Sequence, residues 1–385
     1  MTGNCFAQRL KKVPNYFFAA LAELRQSAVI DFSEGNPDLP TPRPIVKAMI
    51  QHLQNPSFHR YPDYQGMSAA RQAVADWYAK RFSVKLDPER EVCMLLGAKE
   101  GIAHLIWGVI DKGDRIAIPD PCFPMYYNQA LLAGGKLLTM PLLPSNDFLP
   151  DLAKLRSKKI KLVALNYPNN PTAAVAPLEF YSDLVNLAQK QGFYIYNDNV
   201  YSELYFNSPP PSILQVDGAK EHCIEFHSLS KTFNMAGWRI GFAVGNADLI
   251  QAMLKIKQNT DSGPFSAIQA TAIYALSQDK RFTEPIRQTY KRRQDLLVNG
   301  LEKLGFELAR PKATFFVWVS LPKKIGGLGS SLAFAKELLL KTQIMVAPGR
   351  GFGKYGEGYI RFALVCPETK IRQALSRLSS IKQWH

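Results

Sequence analysis

The chain of 385 residues is long enough for two domains, or for one large domain with an additional lobe. Apolar residues make up 46% and charged residues 21%, which is typical of a globular protein and excludes a disordered one. A net charge of +15 is compatible with nucleic-acid binding. The basic residues are dispersed, however, and the densest run, at 290–294, reads as the solvated start of an amphipathic helix. An anionic ligand or a solubility effect accounts for the charge more simply.

Neither a metal site nor a membrane segment is expected. The five cysteines are scattered without a C-x-x-C pair, and no histidines have ligand spacing, which predicts reduced thiols in a cytoplasmic protein. The apolar run at 16–22 is short and is closed by Glu23 and Arg25, so we expect an amphipathic surface helix rather than a secretory signal. No run approaches the roughly 20 apolar residues that a membrane span requires.

Short apolar runs alternate with helical patterns between residues 91 and 245. Several runs are nearly all apolar, as in strands buried on both faces of a mainly parallel sheet. The runs lie at 91–97, 114–120, 160–168, 193–198, 223–230 and 239–245. The first leads directly into a helix, and a further helical stretch at 178–192 ends in Gly192. The pattern predicts an α/β fold with a doubly wound sheet.

After residue 270 the pattern changes. A long basic helical region at about 266–304 precedes strand-like runs at 313–322 and 358–365, with a helix at 331–342 between them. This succession predicts a smaller α+β domain. We therefore expect a large domain over residues 46–270 and a small domain built from both chain ends, 1–45 and 271–385.

Polar residues at the ends of the predicted strands suggest a site for an anion, because open parallel sheets bind ligands beyond the carboxyl ends of their strands. The helix that begins at Ala98 offers backbone N–H groups and a partial positive charge. Ser228, Ser230 and Arg239 add hydroxyl donors and a bidentate fork. These groups together suit a phosphate.

Three further residues at the same edge suit an aromatic aldehyde. A buried Asp198 requires a cationic partner, because an unpaired carboxylate there would be protonated. Phe123 supplies an aromatic face, and Lys231 supplies an amine for a Schiff base. A phosphorylated aromatic aldehyde with a basic ring nitrogen, pyridoxal phosphate, satisfies all of these requirements.

Six motifs in the chain carry a family resemblance. They are NPDLPTP (36–42), HRYPDYQG (59–66), GAKEGIAHL (97–105), NYPNNPT (166–172), SLSKTFNMAGWRIGFAVGN (228–246) and FGKYGEGYIRFAL (352–364). With these motifs the chain resembles, along nearly its whole length, the class I/II aminotransferases of the fold-type-I pyridoxal-phosphate family. It is most similar to the LL-diaminopimelate aminotransferase-like branch. The ordered pair SLSKTFNMAGWR and NYPNNPT is the most specific part of this match.

The resemblance implies a role for each residue around the cofactor ring. Lys231 would hold the cofactor as a Schiff base and move the proton between the substrate's α-carbon and the cofactor. Asp198 would pair with the pyridinium nitrogen, and Phe123 would stack on the ring. Tyr201 and Asn170 would hydrogen-bond the phenolic oxygen.

The resemblance also implies the phosphate and substrate contacts. The phosphate would be held by Ala98, Lys99, Ser228, Ser230 and Arg239, with Tyr64 reaching it from the partner subunit of a homodimer. Arg361 would bind the substrate α-carboxylate, with Gly35 and Asn170 completing that pocket. Tyr16 would close over the substrate.

Three positions depart from the common pattern of the branch. Ala98 stands where Ser is common, Phe123 where Tyr is common, and Ala173 where Gly is frequent. The first two changes remove hydroxyl groups near the phosphate and the substrate, but they leave the catalytic outline intact. The choice of substrate therefore stays open.

Three functions are compatible with these residues. The first is an aminotransferase that exchanges an amino group between an L-amino acid and a 2-oxo acid by ping-pong chemistry, with LL-diaminopimelate and 2-oxoglutarate as one candidate pair. The second is a C–S β-lyase, which uses the same cofactor and begins with the same proton removal. The third is an aminotransferase-like regulatory domain, for which no helix-turn-helix segment precedes residue 30.

Overall fold

The computed structural model describes residues 7–14, 29–156, 158–321 and 330–380. Tyr16 and the helix expected at 16–22 lie outside the described residues. The strands are β1 (Ile30–Asp31), β2 (Val92–Leu95), β3 (Arg115–Asp120), β4 (Lys136–Pro141), β5 (Leu162–Leu165), β6 (Tyr194–Asp198), β7 (Cys223–Ser228), β8 (Gly241–Gly245), β9 (Phe316–Ser320), β10 (Ile344–Met345), β11 (Ala347–Pro348) and β12 (Tyr359–Ala363).

The helices complete the layers around these strands. They are α1 (Arg43–His52), α2 (Ser68–Phe82), α3 (Ala98–Val109), α4 (Met125–Leu132), α5 (Leu178–Gln191), α6 (Leu229–Thr232), α7 (Ala247–Thr260), α8 (Ser266–Ser277), α9 (Asp279–Lys303), α10 (Ser331–Thr342) and α11 (Glu368–Ser379). The helical region expected at about 266–304 is thus two helices, α8 and α9.

A mostly parallel sheet forms the centre of the described chain. Its seven strands have the order β2-β8-β7-β6-β5-β3-β4. Strands β3 to β7 run parallel to one another, whereas β8 is antiparallel to both of its neighbours. The α/β prediction is confirmed. Strand β4 was not predicted, because it lies at the edge of the sheet and exposes much of its length.

Alternate side chains of the central strands are buried on opposite faces of the sheet. Leu162 and Ala164 of β5 belong to one apolar cluster, which also contains the inner faces of α3 and α7. Val163 and Leu165 belong to the other, with residues of α2 and α5. Burial on both faces explains why these runs are apolar throughout instead of alternating with polar residues.

Two smaller sheets carry the segments that complete the site. Strand β1 pairs in parallel with β10, and β12 lies between β11 and β9 in an antiparallel sheet. The backbone N–H of Ala363 donates to the carbonyl of Phe32, which joins β12 to the segment that follows β1. This pairing brings residues 33–36 close to Arg361 at the middle of β12.

Candidate active site

A cavity of about 660 Å³ lies beyond the carboxyl ends of β6 and β7. Most of the residues that the sequence predicts for the site line it: Gly35, Ala98, Lys99, Phe123, Asn170, Asp198, Tyr201, Ser228, Ser230, Lys231, Arg239 and Arg361. Tyr64 does not line this cavity, and its side chain is 42% exposed. One chain therefore assembles the expected set apart from Tyr64 and Tyr16, the latter lying outside the described residues.

Lys231 lies on the short helix α6, which follows β7 directly. The hydroxyl of Ser228 accepts a hydrogen bond from the backbone N–H of Ser230 at 3.2 Å and so caps this turn. The Lys231 ammonium donates to the carbonyl of Gly35 at 2.7 Å. Burial, together with the positive charges of Arg361 and Arg239, lowers the pKa of Lys231 to about 8. The amine is thus neutral, and nucleophilic, at a lower pH than an exposed lysine.

Asp198 ends β6 and presents a buried carboxylate to the cavity. Its Oδ2 accepts a hydrogen bond from the Tyr126 hydroxyl at 2.5 Å. Its Oδ1 is buried and has no hydrogen-bond partner among the residues that the structure describes. Burial raises the pKa of the carboxyl to about 6, and the Tyr126 hydrogen bond opposes that rise. A cationic donor at Oδ1 would complete this group.

Arg239 is held against the start of α3. Its Nη1 donates to the carbonyl of Ala236 at 2.8 Å and its Nη2 to that of Leu96 at 3.2 Å. Both acceptors are neutral, so the guanidinium keeps its charge for an anion. A Cβ on Gly97, which has a φ of +98°, would lie 2.6 Å from Nη2. Glycine is therefore required here both for its backbone conformation and for the close approach of the arginine.

Arg361 is 2% exposed, and its guanidinium is held by hydrogen bonds that it donates to neighbouring segments. Its Nη1 donates to Oδ1 of Asn170, and its Nη2 donates to the carbonyl of Ser33, each at 2.6 Å. Because Asn170 uses its side-chain oxygen here, its Nδ2 is the atom that can donate to a ligand. The guanidinium thus lies at the junction of the segment after β1, the loop after β5 and strand β12.

Several residues of the site were not predicted from the sequence. Asn166 links the loop after β5 to the end of β6. Its Oδ1 accepts a hydrogen bond from the backbone N–H of Asn170 at 2.8 Å, and its Nδ2 donates to the carbonyl of Asp198 at 2.7 Å. Tyr126 and Phe316 also line the cavity. Asn166 opens the NYPNNPT motif, so its position in that motif was an available signal.

A second cluster of charged side chains lies near the start of α3. One ligand atom from each of Glu100, His104 and Asp261 falls within 4.8 Å of the others. The buried Lys257 ammonium donates to Glu100 at 3.1 Å and to Asp261 at 2.6 Å. The lysine supplies positive charge between the carboxylates, and Oε2 of Glu100 accepts from the backbone N–H of Leu96. This cluster stabilises the turn that leads into α3.

Within the part of the chain that the structure describes, no helix is both long and apolar enough to cross a membrane.

Comparison with known proteins defines the class. The family model for aminotransferase class I and II matches residues 27–378. The chain belongs to this family and is an aminotransferase.

The most informative relatives match over nearly the full chain. The LL-diaminopimelate aminotransferase of Aquifex aeolicus is 46% identical, and the match covers 98% of this chain and 99% of that protein. The LL-diaminopimelate aminotransferase of Halothermothrix orenii is 45% identical, with 97% and 98% covered. A solved aminotransferase structure from Staphylococcus aureus superposes with a TM-score of 0.91 at 35% identity, covering 97% of this chain and 98% of that one.

Proposed function

We propose that this protein is a pyridoxal-phosphate-dependent aminotransferase that moves an amino group from LL-diaminopimelate to 2-oxoglutarate. The observation that carries the proposal is the arrangement of Lys231, Asp198 and Arg361 around one cavity. The amine, the carboxylate and the guanidinium match, respectively, an aldehyde, a cationic ring and a substrate carboxylate. The named activity of the relatives supports the substrate pair.

The residues around the cavity fit pyridoxal phosphate. Asp198 has a buried Oδ1 without a partner among the described residues, as a pyridinium N–H acceptor requires. Arg239 packs closely on Gly97 at the start of α3, and together they form an anion-binding site. Phe123 borders the same cavity and offers a ring for stacking. Ala98, Lys99, Ser228 and Ser230 would complete the phosphate contacts, and Tyr201 with Asn170 would donate to the phenolic oxygen.

Bound pyridoxal phosphate supplies an aldehyde that condenses with amines and a ring that accepts the electron pair left on the substrate α-carbon. The Lys231 amine would hold the aldehyde carbon of the bound group and, as a free amine, would carry the proton to and from the substrate α-carbon. Its lowered pKa favours the neutral amine that this base role requires. Asp198 would pair with the ring nitrogen and favour its protonated form.

Arg361 binds the α-carboxylate that both substrates share. A 2-oxo acid keeps this carboxylate when the amino group is replaced by oxygen. The same guanidinium can therefore bind the amino-acid substrate and then the oxo-acid substrate. Glu34 also lines the cavity and carries a negative charge. A carboxylate suits the ammonium at the far end of diaminopimelate, which supports this donor over one with an apolar side chain.

A homodimer is proposed for the working enzyme. Helix α1 and the residue that caps it present Val46, Ile50 and Leu53 to solvent at helical spacing, and Tyr61 in the following loop is 95% exposed. Tyr64 lies in the same loop, outside the cavity of its own chain. A second copy seated on this surface would cover the apolar groups and bring Tyr64 to the neighbouring phosphate site.

We further propose the division into a large domain over 46–270 and a small domain from 1–45 and 271–385. The pairing of β1 with β10 supports a small domain built from both ends of the chain.

A cytoplasmic location is proposed as well, since Cys93, Cys122, Cys223 and Cys366 are buried free thiols.

Isotope transfer tests the function directly. The purified protein, with pyridoxal phosphate and 2-oxoglutarate, is given LL-diaminopimelate labelled with ¹⁵N, and mass spectrometry measures labelled glutamate. We expect stoichiometric transfer, with no label passing to glutamate from an apolar amino acid at comparable rate. Release of pyruvate and ammonia from an S-substituted cysteine, without labelled glutamate from any donor, would instead establish the C–S lyase.

A further inference from the structure

Tyr126 lines the cavity together with Asp198, to which it is hydrogen-bonded. It belongs to the first turn of α4, and its side chain is buried. Its hydroxyl donates to Oδ2 of Asp198 at 2.5 Å, while Oδ1 of the same carboxylate has no partner among the described residues. The two oxygens therefore have different environments, although they are chemically equivalent in a free carboxylate.

We infer that Tyr126 is a positioning residue for the cofactor, because its hydrogen bond fixes one oxygen of Asp198 and so directs the other toward the ring nitrogen. The inference rests on the proposed function. A carboxylate at the end of a strand can rotate about its last side-chain bond, and a single fixed oxygen sets the plane of both. A donor to the ionised form also favours the charge that a pyridinium partner needs.

Burial makes this support necessary. Removal of Asp198 from water raises the pKa of its carboxyl, and the Tyr126 hydroxyl and the backbone N–H of Val200 act in the opposite direction. Lys231 also faces this carboxylate and adds a favourable charge. Without the hydroxyl, Oδ2 would lose its side-chain donor at a buried position. The carboxylate would then be free to protonate or to turn away from the ring.

The competing explanation is that Tyr126 only packs the core. Its ring lies 6.1 Å from that of Phe123 and 5.9 Å from that of Tyr196, in edge contacts. Tyr196 lies on β6, as does Asp198, and its buried hydroxyl has no hydrogen-bond partner among the described residues. Tyr196→Phe is therefore a matched control, because it removes the same atom from the same aromatic cluster but no hydrogen bond to the carboxylate.

The experiment compares two probes that differ only at the ring nitrogen. Full-length protein stripped of cofactor is titrated with pyridoxal phosphate and with its 1-deaza analogue, in which a C–H group replaces that nitrogen. For Tyr126→Phe we expect the dissociation constant of pyridoxal phosphate to rise at least about tenfold, the loss of one hydrogen bond to a charged group. The constant for the 1-deaza analogue should change less than about twofold, since that ring makes no pairing with Asp198.

Each outcome decides the matter. If Tyr126→Phe weakens the binding of both probes equally, or if Tyr196→Phe weakens pyridoxal phosphate binding as much, Tyr126 acts by packing alone and the inference is overturned. Unchanged affinity for pyridoxal phosphate in Tyr126→Phe would overturn it as well. If Tyr126→Phe does not fold, p-aminophenylalanine at position 126 keeps the ring size and a weaker donor, and should give a smaller loss that is still confined to pyridoxal phosphate. Wild-type protein that binds neither probe would refute the proposed function itself, which is a distinct result.

Discussion

The guanidinium carbon of Arg361 lies 4.1 Å from the ring centroid of Phe316, and the ring of Phe352 lies 4.7 Å from the same carbon. Aromatic faces attract a guanidinium and restrict its plane. Hydrogen bonds to Asn170 and Ser33 restrict it further. The fork is thus oriented before a substrate arrives, and little of the binding energy is spent in ordering it.

This arrangement predicts that Arg361→Lys is a severe substitution. Lysine keeps the charge but loses both the fork and the aromatic contacts. We expect kcat/KM to fall about 10- to 100-fold for the amino acid and for the oxo acid alike, since both carry the α-carboxylate. Steady-state kinetics with each substrate varied in turn measure the two effects. A loss confined to the amino acid would mean that another residue binds the carboxylate.

Gly35→Ala tests whether the contact between the Phe316 ring and Arg361 contributes to substrate binding. A Cβ on Gly35 would lie 2.8 Å from the Phe316 ring, so the ring must move away from its place beside Arg361. We expect higher KM values for both substrates with unchanged affinity for pyridoxal phosphate. Gly237→Ala is the matched control, because that residue also lines the cavity and its Cβ would meet nothing within 4 Å. Equal effects of the two substitutions would refute the role of Phe316.

Lys231→Ala separates catalysis from cofactor binding. The substitution removes the amine that we propose to hold the aldehyde and to move the proton, so turnover should be abolished. Asp198, Arg239 and the first turn of α3 remain, and pyridoxal phosphate should therefore still bind reversibly. Isotope transfer measures turnover, and equilibrium dialysis measures cofactor content. Turnover near the wild-type rate would exclude the proposed mechanism.

Much of the candidate site could be predicted from the sequence, because its residues follow strands that end at one edge of the sheet. Asp198 ends β6 and Ser228 ends the adjacent parallel strand β7, so their order along the chain brings them together. Lys231 follows three residues after Ser228. Local patterns of apolar runs are enough to place such residues, and family motifs then suggest what each one does.

Contacts between distant segments could not be predicted in the same way. Tyr126 and Asp198 are 72 residues apart, and the aromatic surroundings of Tyr126 make it look like any core tyrosine. Phe316 is equally apolar in pattern, yet it supports an arginine from a different strand. The direction of β8 was also hidden, because side-chain periodicity is the same in parallel and antiparallel strands.

The lowered pKa of Lys231 predicts a distinctive labelling profile. Burial and two nearby arginines disfavour the ammonium, so half of the amine is neutral near pH 8. In cofactor-free protein, brief treatment with cyanate should modify Lys231 with a midpoint near that pH. Lys161 is the control, because its hydrogen bond to Asp114 raises its pKa and keeps it charged under the same conditions. Peptide mass spectrometry measures both, and coincident profiles would contradict the assignment.

Mixed dimers test whether Tyr64 acts across a subunit interface. Tyr64→Ala and Lys231→Ala chains are each expected to be weak, since the first lacks a phosphate donor and the second lacks the amine. In a dimer that contains one chain of each kind, one site carries both substitutions and the other carries neither, because it takes Lys231 from one chain and Tyr64 from its partner. Random association makes about half of the dimers mixed, each with one intact site of two, so co-refolding should restore about a quarter of wild-type activity.

The comparison that decides this prediction is the activity of the co-refolded mixture against the sum of the two variants refolded separately. Tyr64 does not line the cavity of its own chain, so we expect its hydroxyl to reach a cofactor site only when a second chain covers this loop. Activity no greater than the sum would mean that Tyr64 acts within its own chain or has no part in the site. Restoration that disappears when the protein is diluted until size-exclusion chromatography shows monomers would tie the gain to the interface, because only association can unite the two intact residues.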